Sequence, residues 1–453
     1  MLHSFVLRSY DGSTMENQDI KRGVDFETRF GEQSRALDSA FLWWRGEKFN
    51  KKTVIFLSLL FTINFIVVFP ILGKNFAPAY SSSSLLLDIA GVLKHVFISP
   101  ELFFSIVTTL ALCLAPITSY LFVRRVAMRH EITAFLASLF FILPNPFFGQ
   151  LPVMITALLQ GDGAHVLVFS LLPLFLLYVQ AFLKTGVPAL SVLCIIGTAI
   201  IAVVSPFAVF NLLIIFFILT IAEGFLGSLR LKLFRLVFLI FGATLLASFW
   251  YYPNILSKIA VLSHVKFAFD KFISVLPLAV PIIPVAGALS FLIFDRREKL
   301  NPIFISTALF LSYVFLYNLS RDFSMSGIFT PDRYVLELGF SSAFFVAILC
   351  ILLTELGIQK LLPKIERAQA LRLLLGLQFV SAVLIGFFMF QGFAAVQKHA
   401  DQKIMANQFS AGVGGIKRTF SVTDFTSLLW LFISFATLFC LFYILSKYSS
   451  RSK

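Results

Sequence analysis

Charge is scarce in this sequence. Only 13% of its 453 residues are Asp, Glu, Lys or Arg, about half the share of a soluble protein, which is roughly 25%. So few charges cannot cover a water-facing surface, so soluble folds are excluded and the surface must be mostly lipid. Cysteine is also rare. Cys113, Cys194, Cys350 and Cys440 each lie inside an apolar run, in no CxxC or metal-ligand spacing. They read as small packing residues. Zinc motifs, a nucleophile elbow and a Walker sequence are missing as well. The glycines of Gly412–Gly415 follow no strand and form no phosphate loop. Asn318-Leu-Ser320 matches the glycosylation acceptor pattern but lies at a helix end, out of a transferase's reach. No motif names a cofactor, and a divalent cation stays open as one option.

What the chain has in abundance is apolar sequence, 58% of it, with 56 Phe. A helix needs about 20 apolar residues to cross a hydrocarbon core of ~30 Å. Runs of that kind are Thr53–Gly73, Leu102–Val123, Ile132–Gly149 and Val166–Leu183. The uncharged stretch Thr185–Ala222 is too long for one pass, and Ser205-Pro206 divides it into two helices, because proline disfavours helix at the residue before it. Further runs are Phe234–Trp250, Phe272–Phe294, Pro302–Ser320, Leu338–Thr354, Leu373–Phe393 and Thr426–Ser446. The expected fold is an all-α membrane bundle of about twelve spans. Prolines within spans (Pro116, Pro173, Pro277, Pro281, Pro284) add kinks.

The net charge of +14 comes from small basic clusters between apolar runs, a topology signal rather than a nucleic-acid groove. With the N-terminus inside, 26 of the 37 Lys and Arg fall on the cytoplasmic side and 11 outside. The positive-inside rule therefore places both termini in the cytoplasm. Residues 1–52 are expected as a polar cytoplasmic segment ending in an aromatic and basic anchor, LWWRGEKFNKK. Residues 53–446 form the transmembrane domain and 447–453 a cytoplasmic tail. The first apolar run starts too late for a cleavable signal, so Thr53–Gly73 is expected to stay as an anchor. Ser84–Phe97, apolar but carrying Asp88, Lys94 and His95, is too short and charged to span and suits an interfacial helix.

The predicted spans have no Asp, Glu, Lys or Arg near their middles, which weakens an ion-coupled transporter reading. Ionisable residues gather in outer loops instead: Asp88, Lys94, His95 and Glu101, then Asp162 and His165. A later loop holds Arg321, Asp322, Asp332 and Arg333, with Glu337 just beyond. A carboxylate at this level can take a proton from a hydroxyl acceptor, and arginines can grip a phosphate. Loop charge also has a plain explanation in contact with water. For Asp162, capping of the following helix is the expected role, on a face shared with His165.

SYLFVRRVAMRHEITAFLASLFFILPNPF (119–147) resembles the second and third helices of C-type glycosyltransferase-like (GT-C-like) membrane proteins. GDGAHVLVFSLLPLFLLYVQAFLK (161–184) resembles the next helix, and ASFWYYPNIL (247–256) and PDRYVLELGF (331–340) resemble later outer-helix ends. The nearest likeness is to membrane proteins labelled as related to 6-pyruvoyl-tetrahydropterin synthase. The resemblance implies transfer of a sugar from a polyprenol-phosphate donor to an acceptor on the outer face; the membrane is expected to be a prokaryotic plasma membrane. Its partners would be membrane lipids and that donor, not nucleic acid. In the family a first-loop carboxylate acts as base, often within an acidic pair. Asp88 would take that part here, with Glu101 and Asp162 in reserve. His95, His165, Arg321 and Arg333 would bind substrate. The alternatives are a transporter or flippase of lipid-linked saccharide and a non-catalytic scaffold.

Overall fold

Proline and glycine set the breaks in an otherwise helical chain. The computed structural model describes residues 51–72, 74, 76–80, 83–95, 98–127, 131–144, 151–225, 228–259, 297–322, 331–361, 383–398 and 425–451. Its helices are α1 (Lys51–Val68), α2 (Ser84–Lys94), α3 (Pro100–Val126), α4 (Glu131–Ile142), α5 (Val153–Leu159), α6 (Gly163–Thr185) and α7 (Pro188–Val204). After them come α8 (Pro206–Gly224), α9 (Leu229–Ile259), α10 (Arg297–Asp322), α11 (Val335–Leu361), α12 (Val383–Lys398) and α13 (Phe425–Arg451). Among the described residues the only β pairing is an isolated bridge between Pro144 and Pro152. The described residues up to Tyr448 belong to one compact unit.

Among the described residues five helical segments are long and apolar enough to cross a membrane: Lys51–Ile71, Pro100–Val126, Gly163–Thr185, Phe207–Gly224 and Leu229–Trp250. Shorter apolar helices accompany them, in α4, α7 and α10 to α13. Phe234, Phe390, Phe432 and Phe439 are 68–74% exposed. So many bare rings suit lipid and would aggregate in water. The chain is an integral membrane protein.

The break at Ser205 falls where the proline demands it. Ser205 is extended (φ −138°, ψ 103°), closing α7 and opening α8. The Ser84–Phe97 segment forms α2, started by the Ser83 hydroxyl accepting from Leu86 N–H. The expected span Ile132–Gly149 is a correction: α4 stops at Ile142 after 12 residues, and the seven-residue α5 begins only at Val153. At ~1.5 Å per residue, α4 alone is too short to cross. The Pro144–Pro152 bridge marks the reason, since prolines cannot continue the helix. Span Phe272–Phe294, the start of span Leu373–Phe393, residues 1–50, most of the Gln397–Asp424 loop and Gly412–Gly415 lie outside the described residues.

Lipid gives no hydrophobic drive between helices, so close packing and interhelical hydrogen bonds hold them. Asn64 Nδ2 donates to the Leu112 carbonyl at 2.8 Å, joining α1 to α3. Thr118 Oγ1 donates to the Ser170 carbonyl at 2.6 Å, joining α3 to α6. Ser248 and Ser434 hydroxyls meet at 3.1 Å between α9 and α13. Phe141, Phe169 and Phe340 form a ring triangle with centroids 5.7–5.8 Å apart, binding α4, α6 and α11. Beyond that triangle, α6, α8 and α11 begin side by side.

Candidate functional site

Three backbone turns bring distant residues to one place, here called the mouth. Gly161, at φ +82°, turns the chain from α5 towards α6, a conformation in which a side chain is strained. The Ser205 break starts α8 and sets Phe207 and Asn211 on its first turns. A 3-10 turn, Pro331–Tyr334, leads into α11 and carries Arg333 just ahead of Glu337.

At the centre, His165 Nε2 lies 2.6 Å from Glu337 Oε1, and both side chains are 1% exposed. Asn211 Nδ2 donates to the same carboxylate oxygen. Asp162 is buried as well, and its charge and that of Arg333 act on the imidazole. Four polar atoms here have no protein partner: Asp162 Oδ2, His165 Nδ1, Asn211 Oδ1 and Glu337 Oε2. Buried polar atoms rarely go unpaired, so this group is built to receive a proton, water or a polar ligand. Rings close the mouth. Phe207 stands edge-to-face with His165 at 5.1 Å and with Tyr334 at 5.3 Å. The Arg333 guanidinium lies 5.4 Å from the Phe207 centroid, a cation–π distance. Burial raises the Tyr334 hydroxyl's pKa, with the Glu337 charge adding and Arg333 opposing.

The first loop docks beside this group. Its turn Ala77–Tyr80 packs on the start of α6, where a Cβ on Gly163 would come within 3.0 Å of the Tyr80 ring. Tyr80 stacks on Phe104 at 4.8 Å. Its hydroxyl, pushed up to about 12 by burial, donates to Thr108, whose own hydrogen goes to the Phe104 carbonyl.

The residues expected from the sequence divide into two sets. Asp162, His165 and Arg333 come together, whereas Asp88, His95 and Glu101 are exposed on α2 and at the start of α3. Arg321 sits in the last turn of α10, its side chain outside the described residues. The capping role expected for Asp162 is corrected. It holds the N-cap position, but its side chain makes no cap hydrogen bond. At φ −105° and ψ 40° it lacks the extended backbone that aims a capping oxygen at the first free N–H groups. Its carbonyl accepts from Val166 instead.

Sequence reasoning missed Asn211 and left Glu337 at the edge of a loop. A lone amide inside PFAVFNLLIIFF was the available signal, since polar side chains within membrane helices are expensive and usually functional. An apolar cavity bounded by Phe169, Pro173, Leu309, Tyr313, Phe340 and Ser341 reaches Glu337 from inside the bundle. Among the described residues no three His, Cys, Asp or Glu side chains are arranged to hold a metal ion. No protein-family model, curated protein or solved structure matches the chain.

Proposed function

We propose that the chain is a twelve-span membrane enzyme with both termini in the cytoplasm, the short α4 completing one crossing together with α5 as a broken helix. It moves a sugar from a polyprenol-phosphate donor to an acceptor at the outer face of a prokaryotic plasma membrane. The observation that supports this reading most is the meeting of Asp162, His165, Glu337 and Arg333 from separate stretches at one end of the bundle. In the reaction the bond from sugar C1 to the phosphate oxygen breaks, and the acceptor oxygen bonds to C1. The acceptor hydroxyl gives its proton to a base, and polyprenyl phosphate leaves. The His165–Glu337 pair is suited to take that proton. Arg333, with Arg321, is suited to hold the phosphate. Asp88 and Glu101, exposed on the first loop, are the alternative bases that the family resemblance implies.

The test is sugar transfer from a labelled polyprenol-phosphate donor in membranes carrying the full chain. Glu337→Gln is expected to abolish transfer while the protein remains folded, and Asp88→Asn to leave it. Transfer unchanged in Glu337→Gln, or lost in Asp88→Asn alone, moves the chemistry to the first loop. No transfer by the wild type from any such donor ends the reading.

A second reading, a transporter or flippase for lipid-linked saccharide, is favoured by the cavity that reaches Glu337 between α6, α8, α10 and α11. Buried ionisable groups beside an internal cavity are what carriers use. Donor flipping in sealed vesicles without transfer would establish it.

A further inference from the structure

Two donors converge on one oxygen of Glu337. Asn211 Nδ2 donates to Oε1, and His165 Nε2 is 2.6 Å from the same atom. An oxygen already accepting an amide hydrogen is poorly placed to carry a proton as well. His165 is therefore the donor in this contact, and Nε2 keeps its hydrogen. The ring's other nitrogen, Nδ1, is buried with no protein partner. A carboxylate that fixes one nitrogen of an imidazole leaves the second as its proton acceptor.

The charges around the ring decide what a proton does there. Asp162 faces it from the turn before α6, Glu337 from α11 and Arg333 from the 3-10 turn. Tyr313 of α10 and Tyr334 add hydroxyls beside Glu337, and α8 contributes the neutral Asn211. A hydronium ion from solvent gives its proton to Nδ1, leaving water, and makes the ring a cation with no bond broken in the protein. Phe207 then lies between neighbours of one sign, that cation at 5.1 Å between ring centroids and the Arg333 guanidinium at 5.4 Å. Like charges sharing one ring repel strongly where water is excluded.

We propose that His165 Nδ1 is a proton-binding site whose occupancy releases Arg333 from Phe207 and opens the mouth. Glu337 and Asp162 favour the new charge and Arg333 is the one charge that opposes it, so the release falls on Arg333, the cation nearest the surface. Opening would expose His165, Asp162 and the unpartnered oxygen of Glu337 together. This rests on the geometry of the pair and not on sugar transfer; neither readout below involves a sugar, so the two readings fail separately.

The experiment uses the full chain in lipid nanodiscs. Changing His3, His95, His130, His264 and His399 to Gln leaves His165 as the one histidine, and 15N labelling then reports both ring nitrogens across pH. Nε2 is expected to stay protonated throughout while Nδ1 gains its proton. Hydrogen–deuterium exchange of the Pro331–Glu337 segment, corrected for intrinsic pH dependence, is expected to rise on the order of tenfold over the same range. His165→Gln should abolish that rise. Should His165→Gln fail to fold, Arg333→Gln serves, with exchange already high at every pH. An Nδ1 that does not titrate, a neutral ring protonated at Nδ1 instead, or a rise that survives in the variant overturns the proposal.

Discussion

Glu131 and Glu337 are both carboxylates at the start of a helix, and their surroundings differ in kind. Glu131 accepts from Thr53 Oγ1 at 2.9 Å, from Tyr120 and from Arg124 Nε at 3.0 Å, so α1, α3 and α4 are tied at one point. Both carboxylate oxygens accept and the charge has a full cation beside it. A second tie of this sort joins α6, α8 and α9. There Glu223 accepts from Gln180 at 2.9 Å and lies 3.8 Å from the Lys232 ammonium, with Oε2 left without a hydrogen bond, while Arg235 donates to the Leu183 carbonyl at 2.7 Å. Glu337 instead shares one oxygen between a histidine and an amide and leaves the other unpartnered. The same residue type acts as a fastener where a full cation stands beside it and as a candidate reactive group where a histidine and an amide take that place.

The sharpest way to break that contrast is Glu337→Ala. Removing one partner of a buried pair costs about 3–5 kcal/mol, and sugar transfer should vanish even below the unfolding temperature; thermal unfolding and the transfer assay read the two effects. Gly186→Ala tests the fastener side. Gly186 has φ +71°, and a Cβ there would lie 2.3 Å from the Arg235 guanidinium. Left-handed strain alone gives a loss of about 1–2 kcal/mol, seen in denaturation, with transfer kept per folded molecule. Glu131→Gln should cost about 1 kcal/mol, because the Arg124 pair is partly exposed, again without a change in transfer. Loss of activity in Glu131→Gln at full stability would erase the distinction. The smallest effect is expected from Asp88→Asn, within about 0.5 kcal/mol of wild type, as befits an exposed position.

Much of the fold was legible because lipid imposes simple rules. Apolar length marked the helices, and Ser205-Pro206 marked a break. The short α4 escaped because the expected run was carried past Ile142 into Leu143–Gly149, where Pro144 and Pro146 already signal a break. The mouth was half legible. Asp162 and His165 stood out as ionisable residues beside a long apolar run. Their partner Glu337 follows 172 residues after His165, and a single sequence carries no signal for a contact that distant. Asn211 looked like one amide lost among aliphatic neighbours until the carboxylate it serves was in view. Asp88 attracted attention for its loop position alone, which is a matter of topology and says nothing about what a side chain meets.

Tyr80 has a consequence for anyone who would graft or redesign this scaffold. Its ring fills the volume that any larger residue at position 163 would claim, so the 77–80 turn and the first residues of α6 behave as one rigid joint. A transplanted first loop would need both halves of that joint. Exchanged without Gly163, it would be lifted from its seat, and Asp162 and His165 would shift with the helix end that carries them.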